Sequence, residues 1–349
     1  MNHNLLKSYF LKRKSKISDA IKILQKNIIK LVIIVDREKL VGIITDGDVR
    51  RGLIKKLSLD DNCEDLMNKK PIFIYNTEKD KLKPFNIKKD YHPEKRYVVI
   101  VDKHKRVIDI IDRAETQQAL DNIILIMAGG EGRRMLPHTA KTPKPMLLIR
   151  NKPIIRIIID RLIQHGFRNI NISIRYKYDK LINYFKKNSN IDANIDFLLE
   201  KKPLGTAGSL ALINKQKIDK PIIVMNGDII TNINFPELIR HHNSSKNLIT
   251  VCTSEYSVSI PFGTLVIGKK DKISEIIEKP IEKYPINAGI YVIDPKILLK
   301  LKKNQKIDMT EIISKNISSG KIGIFPLHES WIDVGNPDDF HKAQEHIYD

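Results

Sequence analysis

Asn122-Ile-Ile-Leu-Ile-Met-Ala-Gly-Gly-Glu-Gly-Arg-Arg-Met-Leu-Pro-His-Thr-Ala-Lys-Thr-Pro-Lys-Pro-Met146 runs from an apolar segment straight into a glycine-rich turn and two basic clusters. A short, unbroken apolar run followed by glycines reads as a buried strand whose exit carries backbone N–H groups free of Cβ obstruction, a setting suited to phosphate. Arg134 and Lys144 supply the charge a polyphosphate needs. Two common phosphate motifs are excluded by spacing. A dinucleotide fingerprint would need glycine at Met135, and a P-loop would need a Gly-Lys-Ser/Thr that is absent.

Working outward, apolar strands alternate with helical segments through the rest of this half. The pattern predicts buried strands over Asn122–Met127, Asn169–Ile174, Ile195–Leu199 and Ile222–Asn226. Between the first two, a helix from Pro153 to His165 turns Ile154, Ile158 and Leu162 to one face and stops before Gly166. Segments 262–267 and 286–293 read as strands of a more mixed region. The expected fold class is α/β, with a mostly parallel, Rossmann-like sheet.

The chain upstream reads differently. Helical apolar spacing at Ile17, Ala20, Ile21 and Leu24 precedes two β-branched runs, 31–35 and 40–44, around Asp36-Arg-Glu-Lys39. A fainter hairpin pattern recurs at 97–101 and 106–111, so a duplicated α+β module is expected. The polar stretch 115–121 marks the break, giving a module over 1–117 and a larger domain over 122–349.

The 349-residue length suits two domains. With 61 Lys+Arg against 41 Asp+Glu the net charge is +20, spread over both halves (27 basic and 18 acidic up to residue 121, 34 and 23 beyond). Scattered lysines without a polybasic tail favour anionic small substrates over nucleic acid. Cys63 and Cys252 are too few for a disulfide framework or a zinc site. No apolar run is long enough to cross a bilayer and the start lacks a signal-peptide core, so a cytoplasmic protein is expected.

Seven motifs occur in order: the glycine loop with Arg134, Pro143-Lys-Pro145, Pro203-Leu-Gly-Thr-Ala-Gly208, Asn226-Gly-Asp228, Glu278-Lys-Pro280, Asn287-Ala-Gly289 and Trp331-Ile-Asp-Val-Gly335. Over residues 122–349 the chain resembles the sugar-nucleotide pyrophosphorylases, nucleotidyltransferases acting on sugar 1-phosphates. The family usually has Thr or Ser where Arg133 stands. The resemblance implies Mg²⁺ on Asp228 and Asp333, with Arg134 and Lys144 stabilising the triphosphate and departing pyrophosphate. It implies nucleotide contacts at Gly129, Gly130, Gly132, Glu200, Gly205 and Thr206. It assigns Glu278 to sugar hydroxyls and Lys279 to the sugar phosphate, with Gly263 and Asn287 completing the pocket. Trp331 is expected as an anchor that positions Asp333.

Glu200, in Glu200-Lys-Lys-Pro203, resembles the guanylyl-type members, and a carboxylate could accept from the paired N1–H and N2–H₂ donors of guanine; the other reading is a solvated glutamate beside two lysines. The N-terminal module resembles a tandem pair of CBS domains, Val41-Gly-Ile-Ile-Thr-Asp-Gly-Asp-Val49 being the clearest match. That implies an adenosyl ligand at Thr45 and Asp48; packing or homo-oligomerisation is the other reading. The second copy has Asp109, Asp112 and Glu115 where glycine, Ser/Thr and Asp are expected. The whole arrangement resembles CBS-fused guanylyltransferases of nonulosonic acid biosynthesis. It implies GTP and glucosamine 1-phosphate as substrates, with mannose or heptose 1-phosphate and uridylyl or thymidylyl transfer as alternatives. A non-catalytic nucleotide sensor is the reading of another class, but such a protein would be expected to lose Arg134, Lys144 or an aspartate, and none is missing.

Overall fold

The computed structural model describes residues 6–27, 29–81, 97–112, 120–214, 216 and 218–346. The chain divides into two compact units, Met1–Ala119 and Leu120–Asp349. Glu115 and the expected boundary at 117 lie outside the described residues. None of the described helices is long and apolar enough to cross a membrane.

The first unit holds two three-stranded sheets of matching design. In one, β1 (Phe10–Leu11) runs parallel to β2 (Leu31–Asp36), which forms an antiparallel hairpin with β3 (Lys39–Thr45). In the other, β4 (Phe73–Tyr75) runs parallel to β5 (Tyr97–Val101), which pairs antiparallel with β6 (Val107–Asp112). Helix α1 (Ile17–Lys26) buries the four apolar residues that its spacing singled out. Helices α2 (Asp46–Ile54) and α3 (Cys63–Leu66) complete the first copy. Cys63 is buried, and that burial pushes its thiol pKa up to about 11.

The second unit is built on β7 (Leu120–Met127). A small hairpin, β8 (Leu148–Ile149) with β9 (Lys152–Pro153), precedes α4 (Ile154–Gln164), for which Pro153 is the N-cap and not the first helical residue. Then follow β10 (Phe167–Ile174), α5 (Tyr178–Lys187), β11 (Asn194–Leu199), β12 (Ile222–Asn226), β13 (Ile229–Thr231), α6 (Phe235–Ser244) and β14 (Ile249–Ser259). The chain ends through β15 (Thr264–Ile267), β16 (Ile273–Ile277), β17 (Ile281–Ile293), α7 (Pro295–Leu298), α8 (Met309–Asn316), β18 (Ile322–Pro326), β19 (Trp331–Asp333) and α9 (Pro337–His346).

Seven strands form one sheet in the order β11-β10-β7-β12-β17-β14-β18, all parallel except β17. The period of two sends Ile124 and Ile126 of β7 to one apolar layer with Ile155, Ile158 and Leu162 of α4, and Leu125 to the other with Leu210, Met309 and Ile312. β11 departs from the buried run expected of it. It is an edge strand with Leu199 49% exposed, because a strand with one neighbour has one flank and part of a face open to water.

Candidate active site

At the carboxyl end of β7 the chain turns through Gly129 and Gly130 into a 3₁₀ turn, Arg133–Met135. Gly132 takes φ +65°, and a Cβ there would stand 2.9 Å from Thr139 Cγ2, so only glycine fits. Thr139 Oγ1 donates to the Gly132 carbonyl at 2.8 Å and pins the loop. Where the family pattern expects a hydroxyl, the Arg133 guanidinium instead donates to Glu131. A second 3₁₀ turn, Lys144–Met146, brings in Lys144, whose Nζ makes an ion pair with Asp228 Oδ2.

Asp228 lies in the turn between β12 and β13, and β19 pairs with β13 so that Ile229 stands opposite Asp333. The Val334 N–H donates to the Asp228 carbonyl at 3.0 Å, which ties the two aspartate-bearing segments together. Trp331 Nε1 donates to the Ala288 carbonyl at 2.9 Å and packs on the core, an anchor at the head of the strand carrying Asp333. Oδ1 of Asp228 and Oδ1 of Asp333 are buried with no hydrogen-bond partner among the described residues. Burial and the neighbouring Asp228 charge push the Asp333 pKa up, while Lys144 and Arg134 pull it down. Gly335 completes the group: a Cβ there would lie 3.4 Å from Asp333 Oδ1 and 3.7 Å from Arg134 Nη2. A cavity of about 280 Å³ opens among Gly130, Gly132, Arg134, Lys144, Asp228 and Gly335. Asp228 lines the cavity and Asp333 stands beside the lining residue Gly335, and their two orphaned carboxylate oxygens suit a hard cation, which favours carboxylates over nitrogen or sulfur donors.

Glu200 is buried, which removes the solvated reading of it. Ser173 Oγ donates to Oε1, the Leu204 N–H donates to Oε2 at 3.2 Å, and Oε1 lies 3.1 Å from where a Cβ on Gly129 would be. Gly205 and Thr206 are tied elsewhere: the Thr206 N–H and hydroxyl both donate to Asp308 Oδ1, and Thr206 Oγ1 accepts from the Met309 N–H. Asp308 caps α8 in a capping box with Glu311, a pattern written in the sequence as Asp308-Met-Thr-Glu311. Sequence reasoning did not single out Ser173 or Asp308. Nothing in the pattern marked Ser173, one polar residue among several in a strand that reads Phe-Arg-Asn-Ile-Asn-Ile-Ser-Ile.

The expected sugar residues fall into two groups, Gly263 with Glu278 and Asn287 with the Asn226 turn. A Cβ on Gly263 would lie 2.9 Å from Glu278 Oε2, and Lys279 turns the chain at φ +45°. Asn287 Oδ1 accepts from the Gly289 N–H at 3.0 Å, and a Cβ on Gly289 would meet Asn226 Nδ2 at 2.6 Å, which places this motif against Asn226-Gly-Asp228.

In the first unit Thr45 and Asp48 serve one another. Thr45 N–H and Oγ1 donate to Asp48 Oδ2 at 2.8 and 2.7 Å in the capping box of α2, and Arg51 donates to Asp48 Oδ1 at 2.6 Å.

The fold and this constellation define a nucleotidyltransferase domain preceded by a smaller α+β module. The family model for nucleotidyl transferase matches residues 123–349, and the chain belongs to that family; the CBS domain model matches residues 1–55. Mannose-1-phosphate guanyltransferase 2 of Candida glabrata is 32% identical over 223 residues, covering 62% of this chain and 62% of that protein. A probable mannose-1-phosphate guanylyltransferase 2 of Oryza sativa is 31% identical, with the same coverage of both chains. The chain thus spans about 62% of the length of these relatives. The crystal structure of HddC from Yersinia pseudotuberculosis complexed with GMP-PN superposes with a TM-score of 0.50 at 26% identity, covering 64% of this chain and 98% of that one.

Proposed function

We propose that the protein transfers a nucleotidyl group from an NTP, GTP favoured, to a sugar 1-phosphate, glucosamine 1-phosphate favoured, with mannose 1-phosphate next. The observation that carries this is the convergence of Arg134, Lys144, Asp228 and Gly335 on one cavity beside the glycine loop, with Asp333 fastened to Asp228 across β13 and β19. A phosphate oxygen of the sugar 1-phosphate attacks the α-phosphorus of the NTP, that P–O bond forms, and the bond to the β-bridging oxygen breaks to release pyrophosphate. No covalent enzyme intermediate is required. The protein's work is positioning and neutralising charge. Arg134 and Lys144 face the triphosphate, Lys279 holds the charge of the attacking phosphate, and Glu278 with Asn287 orients the sugar. Asp228 and Asp333 would hold Mg²⁺, which when bound supplies positive charge against phosphate oxygens.

Two observations support guanine. The relatives carry guanylyltransferase names, and buried Glu200 beside Gly129 offers a carboxylate to paired donors. An adenosyl ligand at Thr45 and Asp48 belongs to the same reading, and it would enter by displacing part of the α2 capping box. Pyrophosphate release measured for four NTPs against a panel of sugar 1-phosphates tests the whole assignment. GTP with a hexose or hexosamine 1-phosphate should give turnover. Turnover with UTP or dTTP alone would overturn the guanylyl reading, and none with any pair would overturn the reaction.

A further inference from the structure

Lys144 and Asp228 form their ion pair in a sheltered place, with 10% and 22% of their side chains exposed. The ammonium sits on Asp228 Oδ2. The oxygens with no partner among the described residues are the other ones, Oδ1 of Asp228 and Oδ1 of Asp333. One carboxylate therefore has a monovalent cation on one oxygen and an orphaned oxygen on the other, and Asp333, on the strand that pairs with β13, carries the second orphaned oxygen. A divalent cation held by Asp228 and Asp333 would have to share the Asp228 carboxylate with the Lys144 ammonium. Like charges on one carboxylate, shielded from water, repel strongly.

The backbone of Lys144 cannot relieve this. It is fixed in the 3₁₀ turn between Pro143 and Pro145, and its Cβ lies 3.2 Å from the Cβ position of Gly132. The ammonium can, because it is a compact point charge on a flexible four-carbon stem. Arg134, near Asp333 and Gly335, does not share the Asp228 pair.

We infer that Lys144 makes divalent-cation binding at Asp228 and Asp333 conditional on the nucleotide. On Asp228 its ammonium suppresses cation affinity. An arriving triphosphate draws the ammonium to its own oxygens, which removes the repulsion from the carboxylate pair and adds oxygen ligands beside it. Binding of cation and nucleotide is then cooperative, and by linkage each raises the other's affinity by one factor. The inference rests on the metal reading proposed above.

Free Mn²⁺ followed by its electron paramagnetic resonance signal, titrated into the full-length chain without nucleotide, tests it. Lys144→Met should bind one Mn²⁺ at least tenfold more tightly than wild type. Lys144→Arg, which keeps the charge, should stay close to wild type, and Lys144→Gln serves as a second neutral variant if the methionine does not fold. Adding Asp333→Asn to the neutral variant should abolish the gain. A neutral variant that binds Mn²⁺ no more tightly than wild type overturns the inference and leaves the metal reading standing. A tight site that survives both Asp228→Asn and Asp333→Asn overturns the metal reading itself.

Discussion

Oε1 of Glu200 lies 3.1 Å from the point a Cβ on Gly129 would occupy, so the glycine at the strand exit and the glutamate at the end of β11 are fitted to each other. That contact links the loop expected to cradle phosphates to the residue expected to read the base. Both carboxylate oxygens already accept one protein hydrogen bond, from Ser173 and from Leu204, and each keeps a lone pair for a ligand.

Two outcomes are expected of Glu200→Gln. With the amide oxygen turned to the Leu204 N–H, the new amide N–H can donate to the Ser173 hydroxyl, which rotates to accept, so the melting temperature should stay near that of the wild type. If Glu200 reads guanine, kcat/KM for GTP should fall further than that for ATP or UTP. Equal losses for the three nucleotides would confine Glu200 to a structural role.

Lys279→Ala should raise the KM for the sugar 1-phosphate by roughly tenfold or more, the scale of one lost charge-assisted hydrogen bond, and leave the KM for the NTP near its wild-type value. The residue turns the chain at φ +45°, so Lys279→Gly is the companion variant that removes the charge while relaxing the backbone. A rise confined to the NTP would reverse the assignment.

Local pattern made much of this legible. Helix α1 falls where apolar spacing put it, because its buried face has the helical period, and strand β12 falls where an unbroken apolar run put it, because it is buried on both faces. The pairing of β13 with β19 was not legible: it joins residues about a hundred positions apart, and only the motif order hinted that Asp228 and Asp333 belong together. β14 was missed, and β17 was read as eight residues where it has thirteen, since their outer halves, from Glu255 to Ser259 and from Ile281 to Pro285, are exposed and carry no burial signal. The role of Thr206 was hidden for a similar reason, as its partner Asp308 lies across the sequence on α8.

His242 is a titrating core residue away from the site. Burial holds its pKa down at about 4 against an ordinary 6.5, with Asp294 opposing and His241 reinforcing, and its ring lies 2.9 Å from the Thr250 hydroxyl. The unfolded chain takes up this proton first as pH falls, so stability is lost between pH 6.5 and about 4, by up to about 1.4 kcal/mol per pH unit for one proton. Trp331 is the only tryptophan, so its fluorescence in urea titrations follows the second unit. The acid slope of His242→Gln should be shallower by up to one proton, and an unchanged slope would refute the assignment.

Asp333→Asn should separate stability from activity. The Asp333 carboxylate is held near Asp228 in a partly buried site, and burial together with that neighbour raises its pKa above the ordinary 3.8. A raised carboxylate pKa means the folded protein keeps the proton longer than the unfolded chain. Its contribution is therefore most favourable at low pH and is lost as pH rises from the ordinary value through the raised one. Asparagine has the shape without the charge. At neutral pH the variant should unfold at equal or higher urea than wild type, and the difference should shrink as the pH is brought down toward 3.8. If Asp333 holds a cation as proposed, turnover should fall by about 10²-fold or more, because a carboxylate proposed to hold positive charge against the reacting phosphates has gone. A variant that is less stable at pH 7 and equally active would show that Asp333 is a structural residue of the β13–β19 pair and nothing more.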